Sequence, residues 1–208
     1  MSAAAQIPAR PKPPLLNLAN VLTVLRIVLV PLFVVLLLEG ATAARWAAYA
    51  VFLAALITDR IDGQVARSRG LVTTFGTVAD PIADKALIGA ALIGLSLLGE
   101  LWWWVTLVVL GRELAITLLR FLVIRHGVIP ASRGGKLKTT LQGTALGFLL
   151  VPLGGPVPWI GWTIMAAAVV VTLVTGVDYV LQAHRLWRTS DRTAAEQAPQ
   201  APAPLDAA

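Results

Sequence analysis

The chain has 208 residues, of which 57% are hydrophobic and only 13% charged, about half the charge of an ordinary soluble domain. Together with a mean hydropathy of +0.78, this points to lipid as the solvent of the fold and argues against a water-soluble enzyme. Seventeen Lys and Arg against eleven Asp and Glu give a net charge of +6, and the lack of cysteine excludes disulfides and thiol catalysis.

Residues 1–16 are polar and rich in Ala and Pro, with no apolar stretch before a small-residue cleavage site, so a flexible arm is expected there and no cleavable signal peptide. The first apolar run, 20–38, follows Asn17 and carries Asn20 and Thr23 one helical turn apart. Asn20 is also a good helix cap. Arg26 lies two turns inside that run, where a charge costs about 2.5 to 3.5 kcal/mol unless it reaches the interface or a partner.

The second run, 43–57, leads straight into Asp59-Arg-Ile-Asp62-Gly63-Gln-Val-Ala66-Arg67. Asp59 and Asp62 are three apart and share one face of a helix. Eight residues from Asp59 to Arg67 are about 12 Å of helix, which sets these acids just beneath an interface. Gly63 and Ala66 are small enough for a ligand or a neighbouring helix to approach the backbone. Arg67 suits either a cytoplasmic flank or a phosphate.

A short loop, 68–75, returns the chain to the same side, and Gly76-Thr-Val-Ala-Asp80-Pro-Ile-Ala-Asp84 opens the third run, 82–98. Its helix is expected to start at Asp80 with Pro81 in its first turn, or near residue 75 with a bend at Pro81. Either way Asp80 and Asp84, four apart, share a face level with the first pair. Salt bridges to Arg60, Arg67 and Lys85 would account for one or two of these acids, but not for four at two regular spacings. Four carboxylates gathered in this way call for hard divalent cations, because zinc would want His or Cys. A metal site that also binds phosphate is the natural reading.

The fourth run, 101–121, begins with Trp102, Trp103 and Trp104, an interfacial aromatic belt. Further along come Arg112 and the stripe Glu113, Thr117 and Arg120, which suits an anion pocket facing the bundle interior. The fifth run, 141–153, is preceded by Gly134-Gly135-Lys136-Leu-Lys138-Thr139-Thr140. Lysines at a helix N-terminus oppose the macrodipole unless an anion sits there, although topology also favours them. A turn at 152–158 leads to the sixth run, 159–181, and residues 189–208, rich in Ala, Pro and Gln, are expected to be disordered.

Lys and Arg concentrate on one set of flanks, and the opposite set holds only Arg45 beside Glu39 and Glu100. By the positive-inside rule the fold expected is an all-α integral membrane protein of six transmembrane helices, with both termini cytoplasmic and an active-site cleft at the cytoplasmic interface. The basic residues flank the spans and form no soluble face, so no nucleic-acid partner is expected.

The pattern Asp59-x-x-Asp62-Gly63-x-x-Ala66-Arg67, eight residues, Gly76-x-x-x-Asp80-x-x-x-Asp84 resembles the signature of the CDP-alcohol phosphatidyltransferase family, without departure in residue or spacing. The stretches 17–26, 58–63, 80–85, 112–113 and 135–142 are similar to members of that family that use glycerol 3-phosphate, so the likeness covers most of 17–185. It implies one membrane domain over 17–188 that forms a homodimer in the bacterial cytoplasmic membrane. It also implies transfer of a phosphatidyl group from CDP-diacylglycerol to glycerol 3-phosphate, with release of CMP. By position in the motif, Asp59, Asp62, Asp80 and Asp84 are expected to hold two divalent cations, Mg²⁺ or Mn²⁺, with Asp84 also the base. Asn20, Thr23, Gly63, Ala66, Arg67 and Thr73 are expected at CDP-diacylglycerol, and Arg112, Arg120, Lys136 and Lys138 at the acceptor phosphate. The acceptor assignment draws on cationic chemistry more than on the signature. Inositol 1-phosphate is the alternative acceptor. A prenyltransferase with aspartate-rich motifs is the alternative class, although it should need more spans and a second motif farther along the chain. An ion carrier or channel would spread its ionisable groups through the membrane depth, and here they cluster on one side.

Overall fold

The six apolar runs fold as six α-helices: α1 (Leu18–Leu38), α2 (Thr42–Arg69), α3 (Thr74–Leu97), α4 (Trp103–Val123), α5 (Arg133–Leu150) and α6 (Val157–Glu196). The computed structural model describes residues 18–69, 74–123 and 133–196, with side chains except at 18–20, 60–69, 74–78, 80–81, 120–123, 133–134, 136 and 186–196. All regular secondary structure among the described residues is helical, apart from turns and bends.

Helix boundaries refine the expected ones where charge begins. α2 does not stop with its apolar run at residue 57 but continues through the aspartate motif to Arg69. α3 starts at Thr74 and runs through Pro81, the earlier of the two expected starts. α6 extends to Glu196, so the expected tail from residue 189 begins in helix and not as disordered chain. The segment there, Thr-Ser-Asp-Arg-Thr-Ala-Ala-Glu, has enough Ala, Arg and Glu to carry the helix on.

Three of the connections, 39–41, 98–102 and 151–156, lie at the tryptophan end of the bundle. The α3 exit shows how tightly they are made. Gly99, at φ 73°, allows the left-handed turn of a Schellman motif, in which Glu100 N–H donates to Leu95 O at 2.9 Å and Gly99 N–H to Ser96 O at 3.1 Å.

Large and small side chains interlock in the core. Phe33 of α1 and Phe52 of α2 meet with ring centroids 5.8 Å apart, and Leu87, Leu92 and Leu95 of α3 pack with Leu146 and Leu150 of α5 and Met165 of α6. Ala48 and Ala55 are fully buried on α2, and a Cβ on Gly94 would stand 2.4 Å from Leu37, so small residues set the helix spacing. α5 pairs most extensively with α6, α1 with α2 and α3, and α4 with α6. Buried hydroxyls bond to one another, as Ser96 and Thr106 do at 2.7 Å.

The outer surface is apolar as well. Val24, Val28 and Val35 of α1, and Val170, Val174, Val177 and Leu181 of α6, are all exposed. Two described stretches, Val21–Leu38 and Val157–Arg185, are long and apolar enough to cross a membrane, and only 22% and 33% of their best windows are buried. A soluble protein would hide such helices inside. α2 to α5, of 28, 24, 21 and 18 residues, carry charged residues at the aspartate end, which interrupts their apolar stretches.

Candidate active site at the aspartate end

Each helix contributes to one polar cluster at the end opposite the tryptophans. α1 brings Thr23 and Arg26, three residues apart and therefore on one face, both only 2% exposed. Arg26 does not turn to the interface. Its Nη1 pairs with Asp59 Oδ1 of α2 at 2.7 Å, so the charge buried in α1 is answered by the first aspartate of the motif. The Asp59 side chain remains about one-third exposed, with oxygen left for another partner.

α2 is unbroken across the motif, which keeps positions 59, 62, 63 and 66 on one side of the helix. α3 does the same for positions 80 and 84. Asp84, half-buried, interacts electrostatically with both members of the Arg26–Asp59 pair and with both members of the Lys138–Glu113 pair. It thus joins two clusters, one built on α1 and α2, the other on α4 and α5.

Glu113 anchors the second cluster. Its Oε1 accepts from Arg112 Nη1 at 3.0 Å and from Lys138 Nζ in a close ion pair. Lys138 is 5% exposed and could not remain charged there without such a partner. Arg112 also reaches α6. Its Nη2 donates to Thr175 Oγ1 at 3.0 Å, and its guanidinium lies 5.7 Å from the Tyr179 ring centre. Gly176 leaves room for it, since a Cβ there would meet Arg112 Cγ at 3.4 Å. Beside this group Lys85 Nζ donates to Thr117 Oγ1 at 2.7 Å, and Thr117 donates in turn to Glu113 O at 2.7 Å.

Of the residues singled out in the sequence, Asp59, Asp84, Thr23 and Lys138 face this cluster, and Arg112 lies at its edge, committed to Glu113 and α6. Asn20, Asp62, Gly63, Ala66, Arg67, Asp80, Arg120 and Lys136 fall on the helices, with side chains outside the described residues; Thr73 falls outside them altogether. Among the described residues neither Asp59 nor Asp84 forms a salt bridge with Lys85, which goes to Thr117. Two contributors outside the expected site set are Arg26 and Glu113. Their sequence signal is a charge deep in an apolar run, but their partners lie on other helices and leave no mark in local periodicity.

The described donors suit a hard cation. Asp59 and Asp84 are carboxylates from two helices close enough to repel one another, a pairing that a divalent ion relieves. Among the described residues no three acids or histidines converge, and the other two acids of the motif, Asp62 and Asp80, lie outside that set.

A membrane-type bundle with repelling carboxylates and buried cations at one end of its helices is built to bind an anionic substrate through charge. The sequence comparisons agree: residues 16–174 match the family model described as CDP-alcohol phosphatidyltransferase, and the chain belongs to that family. It is therefore a phosphatidyltransferase of a membrane protein family. It is similar to a probable phosphatidylglycerophosphate synthase of Mycobacterium tuberculosis, 56% identical over 172 residues, covering 81% of this chain and 82% of that protein. It is also similar to CDP-diacylglycerol--glycerol-3-phosphate 3-phosphatidyltransferases of Rickettsia typhi, at 38% identity over 78% of this chain and 94% of that one, and of Bacillus subtilis, at 33% over 84% and 99%.

Proposed function

We propose that this chain transfers the phosphatidyl group of CDP-diacylglycerol to sn-glycerol 3-phosphate, giving phosphatidylglycerophosphate and CMP. The observation that carries this reading is that Asp84 lies within electrostatic reach of both Asp59 on α2 and Lys138 on α5, so that one carboxylate has near it an acid with which to share a metal and a cation suited to a phosphorylated acceptor. The names of the relatives support the choice of acceptor.

In this mechanism an Asp84 carboxylate oxygen takes the proton of the acceptor hydroxyl. The hydroxyl oxygen then bonds to the β-phosphorus, the one that carries the diacylglycerol, and the bond from that phosphorus to the oxygen of CMP breaks in line. Asp59, Asp62, Asp80 and Asp84 would hold two divalent cations, Mg²⁺ or Mn²⁺, which supply neutralisation of the diphosphate and of the departing CMP. Arg26 holds Asp59 through Oδ1 and leaves its other carboxylate oxygen for a cation shared with Asp84. By their place in the motif and their charge, Thr23, Asn20, Gly63, Ala66, Arg67 and Thr73 would serve CDP-diacylglycerol, and Lys138, Lys136 and Arg120 the acceptor phosphate. Arg112 acts there through Glu113.

The chain is read as six spans with both termini in the cytoplasm, a homodimer, and a cleft open both to the cytoplasm and to lipid, because one substrate is soluble and the other keeps its acyl chains in the bilayer. The exposed valines of α1 and α6 support the membrane setting. With no native cysteine, single-cysteine labelling tests the orientation: Ser2→Cys should label only after permeabilisation, and Gly154→Cys from outside.

The deciding experiment supplies purified protein in vesicles with labelled CDP-diacylglycerol and a panel of acceptors. Phosphatidylglycerophosphate and equimolar CMP are expected from glycerol 3-phosphate. Product from inositol 1-phosphate alone would move the acceptor, and consumption of a prenyl diphosphate instead would overturn the reading.

A further inference from the structure

The cations around Asp84 are of two kinds. Lys138 and Arg112 share one carboxylate oxygen, Glu113 Oε1, and their side chains are 6% and 11% exposed. An anion entering there must displace a carboxylate already in place. Lys85 differs in each respect. It is exposed, it follows Asp84 directly on α3, and its described partner is the neutral hydroxyl of Thr117, across on α4. Thr117 spends its own hydrogen on Glu113 O, so its oxygen can only accept, which aims the ammonium without neutralising it. No described carboxylate pairs with Lys85. Lys138, although paired with Glu113, adds to the positive field around Lys85, which favours an anion there.

We propose that Lys85 is the residue that takes the phosphate of the soluble acceptor, with Thr117 as the positioning residue that aims it. The inference rests on the phosphatidyl-transfer reading and names the specificity element of that site. One helix then governs both ends of a short acceptor: Asp84 receives the proton of the reacting hydroxyl, and its neighbour Lys85 holds the phosphate three carbons away. A compact, flexible lysine suits this role, because it meets a phosphate as a point charge and needs no planar fork. Selection follows from this arrangement. A neutral polyol offers Lys85 no counter-charge.

The test compares wild type with Lys85→Met, Lys85→Arg and Thr117→Val, all in vesicles containing CDP-diacylglycerol and Mg²⁺. Lys85→Met should raise the KM for glycerol 3-phosphate at least tenfold and move that for CDP-diacylglycerol less than twofold. Lys85→Arg should recover most of the loss, and Thr117→Val should raise the acceptor KM about threefold. A binding readout without turnover accompanies the kinetics: glycerol 3-phosphate should raise the melting temperature of wild type in the absence of CDP-diacylglycerol, and require at least tenfold more ligand to do so in Lys85→Met. An acceptor KM within twofold of wild type in Lys85→Met, or an equal rise for both substrates, overturns the role of Lys85 while leaving the transferase reading intact. Wild type that makes no product from glycerol 3-phosphate overturns both. If Lys85→Met fails to fold, Thr117→Val and Lys85→Arg decide: an unchanged acceptor KM in Thr117→Val, or no activity in a folded Lys85→Arg, refutes the proposal.

Discussion

Each end of the bundle has an arginine on a carboxylate, and the two pairs do different work. At the tryptophan end Arg45 joins Glu100 through both guanidinium nitrogens, while Nε donates to Leu150 O at 3.0 Å and Nη2 to Leu149 O at 3.2 Å. Every nitrogen has a partner, and the group closes the C-terminus of α5. At the aspartate end Arg26 meets Asp59 and Lys138 meets Glu113, but among the described residues neither Asp84 nor Lys85 forms a salt bridge. A cavity of about 940 Å³ opens at the tryptophan end, lined by Arg45, Glu100, Trp102, Trp159 and Trp162 among others. The cavity is roomy, yet the charges that line it, Arg45 and Glu100, already balance each other. Unbalanced charge at the other end is the better guide to chemistry.

Removing divalent cations should separate the ends most sharply. EDTA is expected to reduce turnover to background, and Mg²⁺ or Mn²⁺ to restore it, with the helix content of the bundle unchanged by circular dichroism. Turnover that persists in chelator would be incompatible with metal held by the motif. Next in size is Asp84→Asn, which keeps the shape of the side chain but cannot accept the proton. A loss of about 10²- to 10⁴-fold in kcat is expected, with binding of CDP-diacylglycerol retained, and a variant of near-normal kcat would take the base role from Asp84. Lys136→Ala combined with Lys138→Ala is the third: the acceptor KM should rise by about tenfold and the lipid KM by much less. An equal rise in both would show that these lysines serve topology.

The motif could be read from the sequence because helical period alone places Asp59 with Asp62 and Asp80 with Asp84, and α2 and α3 are indeed unbroken there. What could not be read is pairing between helices. Arg26 shows as a buried charge in one dimension, but Asp59 as its partner depends on how α1 lies on α2. Arg112 shows the same limit. Its place in the polar part of α4 suggests an anion ligand, but its contacts with Thr175 and Tyr179 of α6 leave no trace in the local sequence. The start of α3 was ambiguous because Pro81 suits a first turn as well as a bent interior, and the extension of α6 to Glu196 was hidden by the low hydropathy of residues that still favour helix.

Arg45→Met gives the smallest expected effect and the cleanest check on the comparison. The substitution keeps an apolar stem but leaves two backbone carbonyls at the end of α5 without their donor, and it frees Glu100, which is already 46% exposed and can turn to water. Losing these bonds at a partly buried site costs about 1 to 3 kcal/mol, equivalent to a fall of roughly 3 to 10 °C in melting temperature for a chain of this size. Both KM values should stay within twofold of wild type, because no charge near Asp84 changes. A tenfold rise in the KM for CDP-diacylglycerol with an unchanged melting temperature would mean that the tryptophan end takes part in substrate binding, and the division of labour between the two arginines would have to be abandoned.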